Sequence, residues 1–200
     1  MIIDGPIESF FKNPTLGPSP EGDGILFHLR RDLMKLYGEE GKNSGADPPH
    51  AMLAMIGILA GIDYLSKVYS RHQGYRNNRK RFVETVHDLC NIANDDSEAV
   101  YQFRCALVHS VALSTISTSS YRKNTRFVFE VTDDESLFLI EKLSDVGNEL
   151  RYRISFWKLK EAFLDIIGRL EDIARDVGHS RNAHVVNMIG KMHSEKILKA

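Results

Sequence analysis

YQFRCALVHS, residues 101–110, reads as the end of an amphipathic helix. Val100, Phe103, Leu107 and Val111 recur at intervals of three and four, which lays apolar side chains along one buried stripe. The same segment carries Arg104, permanently charged, and His109, able to change charge near neutral pH. Five residues apart on an ideal helix means an angular offset of about 140°. Spacing alone therefore does not put the two groups on one face. A long arginine side chain, or a helix that ends at His109, would bring them to a common spot. A plain structural role is open as well: His109 capping the last carbonyls of its helix, and Arg104 pairing with a carboxylate such as Glu98 or Asp165.

Upstream, Asp95-Asp96-Ser97 forms the cap of this helix, and residues 82–93 form the helix before it, with Phe82, Val86, Leu89 and Ala93 inward. Asp47-Pro48-Pro49 opens a further helix over about 49–70. It is apolar on most sides through Ile62, so it belongs in the middle of a bundle or at a subunit interface. Its small residues Ala54, Gly57, Ala60 and Gly61 permit close helix approach. Residues 1–46 read as an N-terminal arm: irregular and rich in Pro and Gly over 1–23, then a short helix over 25–37 with Arg30 and Arg31 outward, then a polar loop.

Downstream, the period shifts from helical to alternating. Residues 126–131 (RFVFEV) and 136–140 (SLFLI) read as strands around a turn at 132–135, and 148–154 (NELRYRI) as a third short strand. Residues 112–154 are thus predicted to be a small antiparallel hairpin or sheet inserted between helices. Ser155 caps a strongly patterned helix over 156–177, which Gly178 ends, and a less apolar helix covers 182–198. The fold class predicted is mainly α, a helical bundle forming a single domain over 47–200.

Two windows are basic and aromatic. Arg71, Tyr75, Arg76, Arg79, Lys80 and Arg81 fall within eleven residues that contain no acid, and Tyr121, Arg122 and Lys123 begin the expected sheet. Such groups can hold phosphates while a ring stacks on a base; the bland alternative is a solvated helix connection. A formal net charge of -1 gives no global pull toward nucleic acid, so any binding must be local. Two cysteines without C-x-x-C spacing and no secretory leader point to free thiols in a reducing cytoplasm. The apolar run 51–62 is short of the roughly 20 residues of a membrane span, so no membrane partner is expected. No Cys/His cluster, phosphate-binding glycine loop or serine elbow occurs, and neither a metal nor a cofactor is expected. Cys105 inside a helix reads as inert core rather than a nucleophile.

Arg104, four residues, then His109, in the setting of Tyr101, Phe103, Cys105, Leu107 and Val108, resembles the R-x4–6-H motif of HEPN domains. Two helices before the motif and a helical pair after it match that layout, from about residue 47 to the C-terminus. The resemblance implies a HEPN-like helical bundle and a metal-independent endoribonuclease of toxin or defence type. It implies that Arg104 grips a phosphate, that His109 moves a proton, and that the product is a cyclic phosphate. It also implies a homodimer whose two-fold axis brings both motifs into one cleft, with RNA as substrate and an antitoxin as a partner of such enzymes. Where many of these ribonucleases carry a polar residue after the arginine, this chain has Cys105. The alternative is a non-catalytic HEPN-like module that binds RNA, a nucleotide or a protein.

Overall fold

In the computed structural model, which describes residues 5–14, 25–37, 48–110, 112–117 and 122–197, the helices are α1 (Pro6–Phe11), α2 (Ile25–Tyr37), α3 (Pro48–Tyr69), α4 (Asn78–Cys90), α5 (Asn94–Ser110), α6 (Phe156–Arg175) and α7 (Asn182–Ile197). The strands β1 (Ser114–Ile116), β2 (Arg126–Thr132), β3 (Ile140–Val146) and β4 (Glu149–Ser155) lie between α5 and α6. The described residues are mainly helical, with a smaller share in a sheet.

α3 is the hub. It touches α2, α4, α5, α6 and α7, which is why its sequence is apolar nearly all round. Ala51–Tyr69 has the length and composition of a membrane span, but half of it is buried by the rest of the chain. Gly61 sits at the closest crossing. A Cβ there would lie 2.7 Å from both Leu29 Cδ2 of α2 and Phe163 Cε2 of α6. No side chain fits unless Leu29 and Phe163 shift.

The sheet corrects the expected one. It is four-stranded and mixed, in the order β1-β2-β4-β3, and its central pair, β2 and β4, is parallel. An antiparallel hairpin or small antiparallel sheet is therefore overturned. β3 lies at 140–146 rather than 136–140, and it forms the hairpin with β4 across Gly147, which takes φ 61 at the first position of a two-residue turn. The segment was hidden because β3 is a polar edge strand, interrupted by a bulge between Lys142 and Ser144, and shows no apolar alternation. β1 was hidden in a Ser/Thr-rich run.

The inner face of the sheet joins the helical core. Phe127, Phe129, Leu150, Tyr152 and Ile154 are buried, and Phe129 meets Phe103 of α5 with ring centres 5.1 Å apart. The outer face is solvated. Arg153 stands between Glu130 and Glu141, each at 3.4 Å.

The arm also differs. Residues 6–11 are helical rather than irregular, with Pro6 in the first turn where its missing N–H costs nothing. Phe10 and Phe11 are buried, and Phe10 stacks on Tyr64 of α3. Arg30, expected outward, is instead buried and donates Nη1 to the Phe11 carbonyl at 3.0 Å. The end of α1 leaves carbonyls without helical partners, and the guanidinium satisfies them. The Asp47 cap, the loop over 38–46 and Val111 lie outside the described residues. Ser155 caps α6 as expected, accepting from the Lys158 N–H at 3.3 Å. α6 ends at Arg175 with Asp176 as its C-cap, so Gly178 lies beyond the helix, donating its N–H to Asp176 Oδ1 at 2.9 Å.

Candidate active site

Arg104 and His109 meet. Arg104 Nη1 lies 2.7 Å from His109 Nε2 at the C-terminal end of α5. The 140° offset is bridged by the length of the arginine side chain, which runs along the helix to the imidazole. Arg104 Nη2 donates to Asp63 Oδ2 of α3, also at 2.7 Å. Asp63, rather than Glu98 or Asp165, is therefore the carboxylate of this arginine.

Exposure differs along this chain of three. Arg104 is 8% exposed, whereas His109 is exposed at the surface. The guanidinium is thus a buried link between a carboxylate on the hub helix and an imidazole in water. Burial disfavours the charge on Arg104, but Asp63 outweighs it and holds the guanidinium above its ordinary range. A guanidinium has only donors, so the 2.7 Å contact requires a lone pair on Nε2 and places the neutral ring's proton on Nδ1. Asp63 Oδ1 and Arg104 Nε are buried and lack a hydrogen-bond partner among the described residues.

Cys105 and Tyr101 flank the guanidinium. Burial pushes the Cys105 thiol up, against smaller opposing effects of Tyr101 and Arg104. A thiol so held is protonated at neutral pH, and it makes a poor nucleophile. Burial likewise raises the Tyr101 hydroxyl, with Cys105 adding to the effect.

The first basic window is largely spent on structure. Arg81 is buried, with Nη1 on the Gly74 carbonyl at 2.6 Å and Nη2 on Asn78 Oδ1 at 2.9 Å. Arg79 forms an ion pair with buried Glu98 at 2.8 Å, and Arg71 donates Nη2 to the Ser180 carbonyl at 2.9 Å. Arg76 and Lys80 are exposed, and Lys80 borders a cleft of about 370 Å³ with His72, His87 and Glu98. The Tyr75 side chain and the whole of Tyr121 lie outside the described residues. Lys123 is exposed, and Arg122, in a turn at φ 50, lies 3.8 Å from Asp145.

A second arginine cluster went unnoticed in the sequence. Arg181, just before α7, donates Nη2 to Glu84 Oε1 of α4 at 2.8 Å and lies over the Tyr69 ring at 4.2 Å. Tyr69 donates its hydroxyl to Asp88 at 2.8 Å, and Ser70 donates to the other oxygen of Glu84. His184 of α7 lies 3.0 Å from the Ser70 carbonyl. Burial raises Glu84, but the hydrogen bonds from Ser70 and Arg181 prevail and hold it below its ordinary range. These contacts fasten α7 to α3 and α4.

Asp63 is the residue the motif alone did not supply. A lone carboxylate directly after the apolar run 51–62 was its signal, because such a charge in a hub helix needs a partner. Among the described residues, no group of three or more His, Cys, Asp or Glu side chains is placed to hold a metal. Against family models, curated proteins and solved structures, the chain finds no match.

Proposed function

We propose that this chain is a metal-independent endoribonuclease in which His109 transfers the proton and Arg104 steers both the imidazole and the phosphate. The supporting observation is the Asp63–Arg104–His109 chain, fixed at its buried end and open to solvent at the imidazole. RNA suits so small a set of groups, because the substrate brings its own nucleophile, the 2′-hydroxyl. His109 Nε2, unprotonated in this arrangement, accepts the hydroxyl proton as general base. The 2′-oxygen bonds to phosphorus, the bond to the 5′-oxygen breaks, and a cyclic phosphate and a 5′-hydroxyl remain.

Arg104 Nη1 exchanges its hydrogen bond from the imidazole to a phosphate oxygen as substrate arrives, stabilising the charge that grows there. Asp63 keeps the guanidinium in place during that exchange. The 5′-oxygen needs a proton, and a second His109, from a two-fold related copy and in its imidazolium form with its ring turned from its own Arg104, supplies it, so the base ends protonated and the acid neutral. This homodimer is the pairing that the resemblance to HEPN domains implies. Exposed Arg76, Lys80 and Lys123 then extend the electrostatic track for RNA. A cytoplasmic toxin or defence enzyme fits this chemistry, with an antitoxin as its natural restraint.

The test is cleavage of a mixed RNA pool in the presence of a chelator. Wild-type protein is expected to cleave, His109→Ala to lose about 10²–10⁴-fold of the rate, and circular dichroism to be the same for both. An intact RNA pool after incubation with folded wild-type protein overturns the reading.

A further inference from the structure

The most exposed residues of α3 fall on one line. Leu53, Ala60 and Lys67 are exposed at intervals of seven, and Ile56 and Asp63 are half-buried between them. Seven residues make close to two helical turns, so all of these share one stripe. The stripe changes character along its length: it is aliphatic through Ala60, then carries an acid and a base. The acid is Asp63, which anchors Arg104. Two contacts of 2.7 Å, through one guanidinium, join its carboxylate to the imidazole of His109. The stripe therefore runs into the candidate site, and Lys67 is the residue one turn further on.

Lys67 lacks the partner its position offers. An acid four residues before a lysine is the favoured order for a helical ion pair, with the two Cβ atoms about 6 Å apart. Asp63 does not serve it. Its Oδ2 accepts from Arg104, and its Oδ1 is buried. Among the described residues Lys67 forms no ion pair or hydrogen bond through its side chain. Arg71, Arg79 and Arg81 differ, being taken up by the Ser180 carbonyl, Glu98 and the Gly74 carbonyl. A free ammonium one turn from the anchor of a phosphate-gripping arginine suits the next phosphate of a polynucleotide. Lysine acts there as a point charge on a flexible stem, which steadies a backbone without fixing one geometry.

We propose that Lys67 holds a phosphate flanking the scissile one, so that the site favours an RNA chain over an isolated phosphodiester. The assignment rests on the nuclease reading. Arg104 stabilises the phosphate that reacts, whereas Lys67 touches only its neighbour, and that contact is the same before and during the reaction. Such uniform binding shows in KM rather than in kcat.

The experiment compares two substrates of one sequence, taken from a site cut in the mixed RNA pool. One is a dinucleoside monophosphate, whose only phosphate is the scissile one, and the other a tetranucleotide with one further phosphate on each side. Wild type, Lys67→Gln and Lys67→Arg are assayed under a chelator, each checked by circular dichroism. The advantage of the tetranucleotide in kcat/KM is expected to shrink about two- to fivefold in Lys67→Gln, the span of an exposed ion pair. The change is expected in KM, and Lys67→Arg is expected to keep the advantage. For the tetranucleotide, the slope of log kcat/KM against log salt is expected to be shallower in Lys67→Gln by about 0.7, the value for one phosphate contact on a single strand. An advantage undiminished in folded Lys67→Gln, one lost equally in Lys67→Arg, or a loss equal on both substrates overturns the proposal and leaves the nuclease reading standing. An RNA pool left whole by the wild type overturns both.

Discussion

Arg104, buried, and Arg181, partly buried, are each held by a carboxylate at 2.7–2.8 Å, yet their networks differ. Around Arg181 the network closes on itself. Glu84, Asp88, Tyr69 and Ser70 use one another, and the cluster staples α7 to the hub helix. Around Arg104 the network is open. One end is Asp63 on α3, and the other is an imidazole in solvent whose lone pair is held by a single hydrogen bond. A closed cluster contributes stability. An open one leaves a group that can exchange partners, which proton transfer requires.

The sharpest break between the two comes from His109→Ala. It is expected to abolish RNA cleavage by about 10²–10⁴-fold while leaving the urea midpoint within experimental error, because the imidazole is exposed. Asp63→Asn tests the buried end of the same chain. It weakens a charge-assisted hydrogen bond, so a loss of about 10- to 100-fold in cleavage is expected, from roughly 1.5–3 kcal/mol. Arg181→Met is the mirror experiment. Stability is expected to fall by about 1–3 kcal/mol in urea unfolding, with cleavage per folded molecule unchanged. If instead Arg181→Met abolished cleavage with little loss of stability, the contrast between the clusters would collapse.

Acidity separates them more gently. Glu84 ionises below its ordinary value near 4.5, so the folded state favours its charged form. The resulting stability is present above that ordinary value and is lost as pH falls through the lower, folded value. Hydrogen exchange is therefore expected to show α7 loosening below about pH 4.5 before the hub helix does. Arg181→Met should remove that selectivity.

Much of this was legible in the sequence. The 3.6-residue pattern of α6, its Ser155 cap and the apolar hub helix were plain, because local chemistry and burial agree there. Arg104 and His109 were legible as a pair, but their meeting was not, since the spacing offsets them and only the side-chain length closes the distance. Long-range partners left weaker marks. Asp63 is forty-one residues from Arg104, and Glu84 is ninety-seven from Arg181. The parallel pairing of β2 with β4 had no local signature, because β3, which flanks β4, is a polar edge strand without alternation. Arg81 read as an RNA contact from composition, whereas loop carbonyls at residues 72 and 74 claim it. Charge runs show where cations are, and only the fold shows which of them face solvent.

The most direct measurement compares an RNA oligonucleotide with its DNA counterpart, incubated with wild-type protein and with His109→Ala under a chelator, followed by analysis of the new ends. The expected result is RNA cut by the wild type alone, leaving cyclic phosphate and 5′-hydroxyl ends, with the DNA untouched. Cleavage of the DNA, or RNA cleavage undiminished in His109→Ala, would contradict the account.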